Sequence, residues 1–107
     1  MLILHLKKEW FEKIKSGEKT HEYREVKPYW TTRIRNHFGY LWSDIDYLKS
    51  GDIYYPILKD IIFRKGYTGK KLYARVVSIK IIDGTNTDLK INKDVYDIEF
   101  ELSEDGE

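Results

Sequence analysis

The sequence predicts an α+β domain in which five or six strands form a curled mixed or antiparallel sheet, closed enough to protect its edges, with two helices near the start. Three observations carry this expectation. Two stretches place apolar residues at helical spacing and end on glycine: Trp10, Phe11 and Ile14 before Gly17, and Trp30, Ile34 and Phe38 before Gly39. Several other runs have the two-residue period or the β-branched composition of strands. No repeat, low-complexity tract or linker divides the 107 residues, so residues 1–107 are expected to form one domain around one core.

Taken in order, residues 2–6 read as a strand with Leu2, Leu4 and Leu6 on an apolar face and Ile3 and His5 on the other. His5 is expected to be a packed or hydrogen-bonded structural histidine. Residues 8–16 form the first helix, and Gly17 supplies a left-handed stop. Residues 20–26 follow as a strand that sets Thr20, Glu22 and Arg24 on one face, with His21 and Tyr23 on the other. Lys19 enters from the turn, so its long side chain can bend to either face. Pro28 opens the second helix, whose polar side carries Thr32, Arg33, Arg35 and Asn36.

Ser43, with Asp46 three residues on, resembles a capping signal, and Gly51 can end a short third helical turn. Strand-like runs occupy residues 52–58, 60–67 and 71–82. Pro56 cannot donate to a ladder and marks the first of these as an edge or a bulge. Asp83-Gly84 closes the long strand, and residues 85–93 form a polar loop. In the last strand, residues 95–102, Tyr96, Ile98, Phe100 and Leu102 are expected to face inward, with Asp97, Glu99 and Glu101 facing water. Residues 103–107 form an acidic tail expected to fray.

Composition narrows the function classes. At 41% hydrophobic and 35% charged the chain is neither disordered nor membrane-like, and it has no apolar run long enough to span a bilayer. With no leader-like start, a cytoplasmic protein is the expectation. The absence of cysteine excludes disulfides and thiolate ligands, and His5, His21 and His37 are too scattered for a metal signature. No metal or other cofactor is implied. The net charge is only +1, yet residues 1–75 hold 16 Lys and Arg against 9 Asp and Glu (+7), whereas residues 76–107 hold 3 against 9 (−6). A positive face can therefore coexist with an acidic end, although a varied mixed surface would give the same counts. Aromatic residues make up 15%, nine of them Tyr, whose rings either fill a core or stack on bases.

The segment 17–24, Gly-Glu-Lys-Thr-His-Glu-Tyr-Arg, combines a helix stop, a strand start and the charged residues Lys19, Glu22 and Arg24. Two readings stand side by side. An exposed ion-pair cluster would contribute about 0 to 1 kcal/mol. A functional site would use the cations to hold a phosphate or polarise a carbonyl, while the carboxylate orients them or accepts a proton. Spacing does not choose between them.

Gly17, Lys19, Glu22 and Arg24 fill the Gly-x-Lys-x-x-Glu-x-Arg signature of the ASCH domain, and the chain resembles the small single-domain bacterial and phage-type members of that family over nearly its whole length. The segment Phe63-Arg64-Lys65-Gly66-Tyr67 adds to the resemblance. It implies a small PUA-like mixed β-barrel of five to six strands with two or three helices. It also implies a cleft lined by Lys19, Glu22 and Arg24, joined by Arg64 and Tyr67. Some relatives are amidohydrolases on acetylated cytidine that use a signature Lys, a Thr three residues later and a Glu from a later strand. Lys19 fits the first role, but Glu22 stands where the Thr would be, and Thr20 is only one residue from Lys19.

Two functions are therefore expected. The first is binding of RNA, single-stranded nucleic acid or a nucleotide-like ligand, with Lys19 and Arg24 on phosphate or base edges, Glu22 fixing Arg24 or accepting from a base amino group, and Tyr67 or Tyr29 stacking. The second is hydrolysis of a modified nucleoside or of RNA, with Lys19 and Glu22 as catalytic groups. A barrel that binds another protein is a third possibility, and no membrane partner is expected.

Overall fold

A computed structural model of the chain describes residues 2–39 and 59–103. Within them the elements run β1 (Ile3–Leu6), α1 (Lys8–Lys15), β2 (His21–Glu25), α2 (Pro28–Phe38), β3 (Lys59–Lys65), β4 (Lys71–Asp83) and β5 (Asp94–Leu102). The strands form one mixed sheet in the order β1-β3-β4-β5-β2, with β1 parallel to β3 and every other pair antiparallel. The fold is thus the expected α+β arrangement of a curled mixed sheet with two helices. The strand expected at 52–58 and the short helical turn expected at 43–51 lie outside the described residues, as do residues 104–107 of the acidic tail. Among the described residues no helix is long and apolar enough to cross a membrane.

Alternation explains the inner face. Leu4 and Phe63 stand opposite each other in the β1–β3 register, and Ile79 and Ile98 in the β4–β5 register, all fully buried. Phe11 and Ile14 from α1 and Ile34 and Phe38 from α2 complete this core. The hydroxyl of the buried Tyr96 lies 2.6 Å from the Thr31 hydroxyl, so its burial leaves no unmet hydrogen bond. Between Val76 and Ser78 the register slips by one residue opposite β5, a bulge that adds bend and twist to the longest strand. The sheet curls until its two edges meet: Arg24 on β2 reaches the backbone carbonyl of His5 on β1, at 3.4 Å.

Two details of β5 depart from the sequence expectation. Asp97 does not face water but is only 4% exposed, and Leu102 turns partly outward. The outer face of β5 is covered as well as the inner one. Tyr23 stands opposite Asp97 in the register, His21 Nδ1 lies 2.7 Å from the Asp97 carboxylate, and the loop after β4 covers Val95.

Candidate ligand-binding cleft

The cleft opens where the two sheet edges approach, and α1 positions one side of it. Gly17, at φ +84°, reverses the chain; its N–H donates to Ile14 O, and the Lys19 N–H returns to Lys13 O. Lys19 is thereby held beside the last turn of α1, with its ammonium 5.0 Å from the centre of the Trp10 ring and 5.3 Å from that of Tyr23.

Glu22 points inward from β2, opposite Ile98, and links the two cations. Its Oε1 is 3.0 Å from Lys19 Nζ and accepts the Tyr23 backbone N–H at 3.1 Å, while Oε2 accepts from Arg24 Nη2 at 3.1 Å. A free edge N–H of β2 is thus capped by the same carboxylate that joins the cations. The Lys19 and Glu22 side chains are only 9% and 7% exposed, so the cluster is not the solvated ion pair that spacing alone allowed. Arg24 lies with its guanidinium carbon 5.0 Å from the Trp30 ring centre, and its buried Nε has no hydrogen-bond partner among the described residues. Each signature cation is therefore stacked against a tryptophan.

A fourth charge enters from the loop between β4 and β5: the Asp88 carboxylate pairs with Lys19. Gly84 anchors this loop. Its carbonyl accepts the N–H groups of Thr87 and Ile91 and the Thr87 hydroxyl, and its own N–H donates to Lys93 O. A Cβ at residue 84 would stand 2.9 Å from the carbonyl oxygens of both Ile91 and Lys93, so only glycine fits this close approach.

These groups line a cleft of about 440 Å³, whose walls include His5, Trp10, Tyr23, Arg24 and Leu89. A second depression of about 360 Å³ shares Trp10, Lys19, Tyr23 and Asp88 with it and adds Thr20 and His21. The Lys19–Asp88 pair stands between the two. Burial raises the Tyr23 phenol above its ordinary pKa, and the nearby charges of Asp97, Asp88 and Glu22 add to the effect, so the phenol keeps its proton and remains a donor. Among the described residues no three His, Asp or Glu side chains are grouped to hold a metal ion.

Of the residues expected at the site, Lys19, Glu22 and Arg24 converge, and Arg64, Tyr67 and Tyr29 lie apart from them. Phe63 is an inward residue, so Arg64 falls on the outer face, opposite His5 in the register, and donates to Thr68 O at 3.2 Å. Tyr67 is 93% exposed in the β3–β4 turn, with its ring 5.0 Å from that of His5. Tyr29, on the first turn of α2, lines a different groove with His5 and Arg33. Sequence reasoning missed Asp88, the role of Trp10 and Trp30 as stacking surfaces for the cations, and the pairing of the buried Asp97 with the half-buried His21. The i, i+3 spacing of Trp10 and Lys13, whose ammonium also lies over the ring at 5.2 Å, was the one local hint of the first tryptophan's role.

No protein-family model matches this chain, and no curated protein matches it either.

Proposed function

We propose that the cleft binds a nucleotide-like unit of RNA or single-stranded nucleic acid, in a cytoplasmic protein of the ASCH type. The single observation that supports this most is the convergence of Lys19, Glu22 and Arg24 in a cleft whose walls include the Trp10 and Tyr23 rings. Cations provide the attraction for phosphate, and ring faces provide sequence-tolerant stacking for a base. A volume of about 440 Å³ lies toward the small end of ligand pockets and suits one nucleotide rather than a length of strand. In this reading the Arg24 Nε, buried and without a partner among the described residues, takes an acceptor on the ligand. Glu22 keeps both cations in place and is satisfied by them, so ligand anions meet positions already formed. The resemblance to the ASCH signature points the same way.

A hydrolase reading has its own support in the 3.0 Å contact of Lys19 with Glu22, a pair able to exchange a proton with a bound amide or phosphodiester. The two readings separate in one set of incubations. Binding predicts saturable affinity for a 5′-mononucleotide and for single-stranded RNA, weakening as salt rises, with both ligands recovered intact. Turnover of acetylcytidine or of RNA that disappears in Lys19→Met would overturn binding as the whole function. No affinity for either ligand at low salt would remove the nucleotide reading altogether.

A further inference from the structure

We propose that the groove between β1 and α2 is a second binding surface for bases flanking the one in the cleft, so that the ligand is a single-stranded oligonucleotide rather than a free nucleotide. The proposal rests on the nucleotide reading of the cleft. The groove encloses about 360 Å³, and Ile3, His5, Tyr29, Arg33 and His37 are among its lining residues. Among the described residues none that lines it is acidic, whereas the cleft carries Glu22 and Asp88. Arg33 on this groove supplies a cation for an anionic backbone.

Groove and cleft are joined in two ways. His5 lines both. Its Nδ1 is 2.8 Å from the Gly66 carbonyl, which can only accept, so Nδ1 carries the proton and Nε2 of the neutral ring is left as an acceptor. The second link is a run of stacked groups. The Arg33 guanidinium sits 3.4 Å from the Tyr29 ring centre, Tyr29 meets Trp30 edge to face at 4.8 Å, and Trp30 carries Arg24 of the cleft. Two rings with a cation at each end make up this path, and cations beside aromatic rings are the chemistry that tracks a single-stranded backbone while stacking its bases. Tyr67, exposed and 5.0 Å from the His5 ring, offers a further platform at the same end. Tyr29 and Tyr67, which the cleft leaves aside, thus flank His5.

The test is a set of affinity titrations at fixed salt with a 5′-mononucleotide, single-stranded RNA and DNA of about eight nucleotides, and polyglutamate of equal charge. The oligonucleotides are expected to bind at least about tenfold more tightly than the mononucleotide, since each stacked base adds to affinity. Tyr29→Ala and Tyr67→Ala are each expected to weaken the oligonucleotide by roughly fivefold or more, and the mononucleotide by less, while Tyr29→Phe and Tyr67→Phe retain affinity because stacking needs only the ring. Oligonucleotides no tighter than the mononucleotide, equal losses for both ligands, or polyglutamate binding as well as RNA would overturn the proposal. Lys19→Met tests the cleft separately. Loss of oligonucleotide binding in the tyrosine variants with no effect of Lys19→Met would uphold the groove and reject the nucleotide reading of the cleft.

Discussion

Lys19 Nζ stands 3.0 Å from Glu22 Oε1, with both side chains more than nine-tenths buried, and Arg24 holds the other oxygen of the same carboxylate at 3.1 Å. A carboxylate removed from water to this extent is tolerable only because two cations and a backbone N–H satisfy it.

Removing that carboxylate takes the shared counter-charge from Arg24 and leaves Lys19 to Asp88. Glu22→Ala is expected to lower the unfolding free energy by about 3 kcal/mol in urea denaturation, with the denaturant dependence unchanged. Glu22→Gln keeps acceptors for the Tyr23 N–H and for one cation and is expected to lose less. A loss below about 1 kcal/mol in the alanine variant would return the cluster to the class of solvated ion pairs.

Gly84→Ala tests the anchoring of the Asp88 loop. The added methyl meets two backbone carbonyls that cannot rotate away, so a loss of about 1 to 3 kcal/mol, read as a lower Tm, is the expected cost of overpacking. An unchanged Tm would show that the loop yields and that Asp88 is not rigidly presented.

Asp88 competes with any ligand anion for Lys19. Asp88→Ala is expected to raise affinity for a phosphate-bearing ligand by about fivefold, the effect of one like charge about 4 Å away in water. The increase should shrink as salt rises. Weaker binding in Asp88→Ala would instead make the aspartate part of the recognition surface.

His37 gives a pH test of the fold. Burial, the largest influence, holds its pKa below the ordinary value of 6.5, opposed by its hydrogen bond to the Asp60 carbonyl. In the unfolded chain the imidazole takes up its proton near 6.5, before the folded state does, so its contribution is complete above that pH and is lost as pH falls through the folded value. Wild type is expected to lose more stability than His37→Gln between about pH 7.5 and about pH 5.5. Parallel losses in the two proteins would contradict this.

Much of the fold was legible because it depends on local period and on glycine. Leu2, Leu4 and Leu6 are all buried, as their alternation required, and Gly17 and Gly39 both adopt the positive φ expected of helix stops. The shared face of Glu22 and Arg24 was legible for the same reason, since strand parity needs no knowledge of partners. Asp88 was not. It reaches Lys19 across 69 positions through a loop whose shape depends on Gly84 packing against Val95, and no local pattern encodes that closure. Asp97 was misplaced because parity alone assigns its side of β5 to water, whereas His21 and Tyr23 of the neighbouring strand cover it. Arg64 follows parity strictly, and on the outer face its guanidinium turns to Thr68 O.

The central claim, that the signature cations bind a nucleotide-like ligand, is tested most directly by the dissociation constant of single-stranded RNA for wild type, Lys19→Met and Arg24→Met. The methionines keep an aliphatic stem against Trp10 and Trp30, and circular dichroism establishes that each variant is folded. Each is expected to bind at least about tenfold more weakly, with a reduced salt dependence, because a phosphate contact is lost. Wild-type affinity in both folded variants would contradict the assignment of the site.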